Sequence, residues 1–132
     1  MPTVLIVDDS DSVRASVRAL FEAEPEFTVV GEAVNGMDAI NKADELSPDL
    51  IILDLSMPIM NGLEAAETLK STSPSTPIYI LTAHGGPEVD RAARAAGVDA
   101  VFSKAEDMDA MMARARKAFA SKNHKKKPAK KT

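Results

Sequence analysis

The 132-residue chain has no cysteine, which excludes a disulfide framework and any thiolate-bound metal. It has two histidines, His84 near the middle and His124 close to the end, too scattered to build a zinc site. No apolar run approaches the ~20 residues that a bilayer-spanning helix needs. The first apolar stretch, Val4–Val7, is short and runs straight into acid, so it does not read as a signal peptide. A cytoplasmic protein without a membrane span is expected. The first turn, "DDSDS", lacks the glycines of a dinucleotide-binding loop.

Acid is missing from the last twelve residues, "SKNHKKKPAKKT", which hold six of the sixteen Lys and Arg. The preceding 120 residues carry the other ten and all twenty Asp and Glu, a balance of −10. The chain therefore divides into an acidic domain, residues 1–120, and a basic tail, residues 121–132. The tail has no apolar periodicity and contains Pro128, so it cannot bury enough surface to offset ordering entropy. Disorder is expected over 122–132, with the last helix ending near Ala120. Lacking arginine and aromatic residues, the tail offers nothing to read or stack on bases, so sequence-specific nucleic-acid binding is not expected.

What is present is an alternation. Val4–Val7 is continuous and β-branched, as in a strand buried on both faces. Ser10 or Asp11 can then cap a helix with Val13, Val17, Leu20 and Phe21 on one face. "FTVVGEA", "PDLIILDLSMP", "PIYILTAH" and "VDAVFSK" supply four more strands. Helical patterns separate them, one started by the Asn35-Gly36 turn and another spanning "MNGLEAAETLKS", and breakers such as Pro74, Pro77 and Gly97 close them. Met108, Met111, Met112, Ala115 and Phe119 line one face of a last helix, where the methionines read as core filling. Five strands alternating with five helices predict a mostly parallel sheet covered on both faces.

Several strands end on chemistry. Asp8 and Asp9 leave the first, Asp54 the third, Thr82 the fourth and Lys104 the fifth. Ligands of open α/β sheets bind beyond the carboxyl ends of the strands, and with the order 2-1-3-4-5 these side chains converge. Two adjacent carboxylates repel one another and are costly to bury, so a cation is implied between them. An all-oxygen donor set favours Mg²⁺. Asp9, Asp54 and the backbone carbonyl of Ser56 would bind it, with Asp8 orienting its waters. A hydroxyl from Thr82 and an ammonium from Lys104 suit a tetrahedral anion, so the set describes phosphoryl transfer onto Asp54.

"LIVDDS", "IILDLSMPIMNG", "ILTA" and "VFSK", in that order, resemble the receiver domain of two-component response regulators across residues 3–120. The resemblance implies a flavodoxin-like (βα)₅ three-layer sandwich. It implies a phosphoryl group taken by Asp54 from a sensor histidine kinase or a histidine phosphotransfer protein. Thr82 and Lys104 would follow the phosphoryl oxygens, and repacking around strands four and five would switch a downstream target at the face of strands 4/5 and helices 4/5. No turnover of a separate substrate is implied, so the chain reads as a signalling domain and not an enzyme. A phosphatase of the haloacid dehalogenase class would need a second acid two residues beyond Asp54, where Ser56 stands. The alternative is a pseudo-receiver that binds partners without phosphorylation. Two positions depart from the family pattern. Ala105 replaces the proline that usually follows the lysine, and Val101 stands where an aromatic usually switches, with Phe102 one step along and so on the opposite face.

Overall fold

The computed structural model describes residues 1–55, 61–83 and 85–131, with only the helical backbone beyond Ala120. Five strands alternate with five helices. They are β1 (Thr3–Val7), α1 (Asp11–Glu22), β2 (Thr28–Ala33), α2 (Gly36–Leu46), β3 (Leu50–Leu53), α3 (Gly62–Thr72), β4 (Ile78–Thr82), α4 (Pro87–Ala95), β5 (Ala100–Ser103) and α5 (Met108–Lys131). The sheet is parallel throughout, as expected from the alternation, and its order is β2-β1-β3-β4-β5, the order expected with the flavodoxin-like resemblance.

The helix starts are written locally. Ser10 accepts a hydrogen bond from Val13 N–H, Asn35 from Asp38 N–H and Asn61 from Glu64 N–H. Each such cap satisfies a backbone donor that the first turn leaves open, at about 1 kcal/mol. At Asn61 the Glu64 carboxylate returns a bond to the cap's own N–H, closing a capping box.

The central strands are apolar on both faces because both faces are covered. On one side, Leu5, Val7, Ile51, Leu53, Ile78 and Ile80 pack against the small residues Ala39, Ala65, Ala66 and Ala93 of α2, α3 and α4. On the other, Val4, Ile6, Leu50, Ile52, Tyr79 and Leu81 meet Val17 and Phe21 of α1 and Met111, Met112, Ala115 and Phe119 of α5. Met111 and Met112 are buried, so the methionines fill the core as the periodicity predicts. Phe27 joins Phe21 and Phe119 through two edge-to-face contacts, with ring centroids 5.2 and 5.7 Å apart.

One boundary differs from the sequence-based expectation. The backbone of α5 continues to Lys131, past Ala120, where the helix was expected to end. Between Ser121 and Lys127 there is neither glycine nor proline, and lysine has a good intrinsic helix propensity, so nothing local stops the helix there.

Candidate functional site

The register of the central strands brings the acids together. Val7 pairs with Leu53 across β1 and β3, so Asp8 and Asp54 are the next residues on adjacent strands. Asp54 N–H donates to Val7 O at 2.9 Å, and Asp8 N–H donates to Ala33 O at 3.1 Å. These bonds extend the ladder one step beyond the strands and fix both backbones. Thr82 and Ser103 pair at the ends of β4 and β5, and Lys104 N–H donates to Thr82 O at 2.9 Å.

Asp8, Asp54 and Thr82 are buried, whereas Asp9 is exposed. Carboxylate oxygens of Asp8, Asp9 and Asp54 all lie within 4.8 Å of one another. The Lys104 ammonium reaches between them, 2.8 Å from Asp8 Oδ2 and 3.2 Å from Asp54 Oδ1. Ser10 N–H donates to Asp8 Oδ1 at 2.9 Å, so one amide and one ammonium serve the buried Asp8 carboxylate. Burial alone would depress the Lys104 pKa. The hydrogen bond to Asp8 and the charge of Asp54 outweigh it and hold the lysine above its ordinary value.

Three carboxylates at this spacing, two of them buried, form an oxygen-only donor set that fits a hard divalent cation such as Mg²⁺ and gives no preference to zinc. Asp8, Asp9, Asp54, Thr82 and Lys104 are thus brought to one edge of the sheet. Ser56, whose carbonyl was expected to complete the set, lies outside the described residues, as does His84.

Three further residues shape the site without announcing themselves in the sequence. Gly62 donates its N–H to Leu55 O at 3.0 Å, and a Cβ there would stand 2.1 Å from Asp54 O. Only glycine lets α3 start against the backbone of Asp54, and the Asn61-Gly62 turn was the available hint. Arg14 and Glu32 meet behind Asp8, with Nε 2.9 Å from Oε1; their separation along the chain hid this pair.

The two departures also have definite places. Val101 packs on the α2/α3/α4 side and Phe102 on the α1/α5 side, where its ring meets Tyr79 edge-on at 5.6 Å. Phe102 therefore does not stand in for an aromatic at position 101. The Lys104–Ala105 bond is trans. Ala83, Gly85, Val101, Phe102, Ser103 and Asp107 border an open cavity of about 460 Å³ beside the end of β4.

The family profile described as "Response regulator receiver domain" matches residues 4–116. The chain is 41% identical over 98 residues to protein-glutamate methylesterase/protein-glutamine glutaminase 1 of Methanosarcina acetivorans, covering 72% of this chain and 28% of that protein. It is 41% identical over 102 residues to the nitrate/nitrite response regulator protein NarL of Escherichia coli K12, covering 77% of this chain and 47% of the relative. The chain thus spans less than half the length of either relative. Among solved structures, the signal receiver domain of NarL from Mycobacterium tuberculosis superposes with a TM-score of 0.82 at 26% identity, covering 91% of this chain and 96% of that one.

Proposed function

This chain belongs to the response regulator receiver domain family, and on that premise we propose that it accepts a phosphoryl group on Asp54 from a phosphohistidine. The donor class is a sensor histidine kinase or a histidine phosphotransfer protein. The observation that carries the reading is the convergence of Asp8, Asp9 and Asp54 within 4.8 Å, with Lys104 reaching in from β5.

In the transfer, a carboxylate oxygen of Asp54 forms a bond to phosphorus while the P–N bond to the donor imidazole breaks. The electron pair stays on that ring nitrogen, and the ring leaves neutral when its other nitrogen carries a proton. The product is an acyl phosphate. Asp8, Asp9 and Asp54, with the Ser56 carbonyl, are the groups that would hold Mg²⁺, which when bound neutralises charge on the phosphoryl oxygens. Asp54 is held for attack by its N–H bond to Val7 O and by the close approach of Gly62. Lys104 already lies beside Asp54 Oδ1, where its charge would meet a developing phosphoryl oxygen. Thr82 would supply a hydroxyl from the neighbouring strand end. Because Lys104 N–H is bonded to Thr82 O, a shift of either residue on phosphorylation would carry the other, and with them the ends of β4 and β5. That coupling supports an output at the face of β4, β5, α4 and α5, where a downstream protein would dock. No helix among the described residues is long and apolar enough to cross a membrane.

Exposure to acetyl phosphate with and without Mg²⁺, followed by intact mass measurement and assay of free phosphate, tests the reading. One phosphoryl group per chain, formed only with the metal, is expected. Rapid turnover to free phosphate would instead indicate an enzyme. No adduct under any condition would leave the phosphorylation-independent binding module.

A further inference from the structure

Arg14 is on the first turn of α1, and its side chain is only 11% exposed. Its guanidinium makes three contacts with three parts of the fold. Nη1 donates to the main-chain carbonyl of Asp8 at 2.7 Å, Nε donates to Glu32 Oε1 at 2.9 Å, and Nη2 pairs with the Asp11 carboxylate. Glu32 sits near the end of β2 and is itself fixed. Arg18 Nη1 donates to its Oε2 at 2.7 Å, and Lys42 Nζ donates to its carbonyl oxygen. The planar fork therefore bolts the Asp8 carbonyl to β2 and α1 at once.

The bolted group matters because the Asp8 carbonyl belongs to the peptide that joins Asp8 to Asp9. That peptide is planar, so holding its oxygen fixes its orientation and sets where the Asp9 Cα lies. The other atoms of Asp8 are held separately: the N–H by Ala33 O, Oδ1 by Ser10 N–H and Oδ2 by Lys104. On the far side of Asp9 the chain passes through Ser10, the N-cap of α1, directly into the helix that carries Arg14.

We propose that Arg14, anchored by Glu32, is the positioning residue that aims the Asp8–Asp9 pair into the cation site. The inference rests on the Mg²⁺ reading of that site. It makes a prediction opposite in sign to simple electrostatics. Arg14 is a cation close to an acidic site, so deleting its charge should tighten Mg²⁺ by Coulomb attraction alone. Positioning requires the reverse. Removing a group that orients metal ligands typically weakens affinity about 10- to 100-fold.

The test is titration calorimetry of Mg²⁺ into the wild-type chain, Arg14→Ala and Arg14→Lys, without a phosphodonor. Melting curves in the absence of metal set a temperature at which each variant is folded. Arg14→Lys keeps the charge and loses the fork, so it separates geometry from electrostatics. Both variants are expected to bind Mg²⁺ at least about tenfold more weakly than wild type. Wild-type or tighter affinity in either variant would overturn the proposal. So would the absence of a cooperative melting transition in both, because Arg14 would then be needed for folding as such. A wild-type chain that binds no Mg²⁺ would overturn the site reading itself, a result distinct from any change confined to the variants.

Discussion

The two edges of the sheet use the same residue type in opposite ways. At the edge where β1 and β4 begin, Asp49 Oδ2 accepts from Thr3 N–H at 2.8 Å and from the Thr3 hydroxyl at 3.2 Å. Asp99 Oδ2 accepts from Ile78 N–H at 2.8 Å and pairs with Lys70 at 2.9 Å. Each of these acids is solvated and matched to donors of its own, and it staples the strand that follows to its neighbour. At the edge where the strands end, Asp8 and Asp54 have side chains only 4% exposed, and they share one lysine with Asp9 close by. A solvated acid bonded to the first amide of a neighbouring strand is a structural tie. Three carboxylates within 4.8 Å of one another, two of them buried, are the donor set a cation site would need.

The largest expected effect separates the edges outright. Asp54→Asn should abolish phosphoryl labelling while its melting temperature without metal stays at or above the wild-type value. The amide is isosteric and removes one charge from a repelling cluster. Labelling of Asp54→Asn at the wild-type level would assign the acceptor elsewhere. Asp99→Ala should do the converse, keeping full labelling and losing stability. Loss of an acceptor for Ile78 N–H and of a half-exposed ion pair is worth about 1–2 kcal/mol, or a fall of several degrees in Tm. Loss of labelling in Asp99→Ala would erase the distinction between the edges.

A smaller effect concerns the shared lysine. Its pKa is raised in the folded chain, so its contribution to stability is whole below the ordinary value of 10.5 and is lost as pH rises through the raised folded value. In metal-free solution, the stability difference between wild type and Lys104→Met should therefore be flat at neutral pH and shrink only on the alkaline side. A difference that disappears between pH 6 and 8 would show that Lys104 does not carry the pairing.

Much of this was legible in the chain because the signals are local. Apolar runs ending on Asp8, Asp54, Thr82 and Lys104 gave both the strands and the edge, and the alternation with helices implied their parallel order. The helix starts at Ser10 and Asn35 are read within a single turn. What sequence could not supply depends on distance along the chain or on close approach. The Arg14–Glu32 pair crosses from α1 to β2 and has no spacing rule to reveal it. The role of Gly62 follows from a backbone 2.1 Å from a Cβ it does not have. The α5 backbone runs past Ala120 although the tail has no apolar periodicity to bury, because the lysine run before Pro128 carries no helix-breaking residue.

A cation site at the crowded edge, unlike a merely acidic surface, stabilises the fold only while its ligands are intact. Melting temperature is therefore followed against Mg²⁺ concentration for wild type and Asp9→Ala side by side. A ligand that binds only the folded chain stabilises it by RT ln(1 + [L]/Kd). The wild-type Tm should rise with Mg²⁺ along that curve, and Asp9→Ala should lose most of the rise. An equal rise in the two chains would contradict the assignment, because the ion would then be bound somewhere other than at Asp8, Asp9 and Asp54.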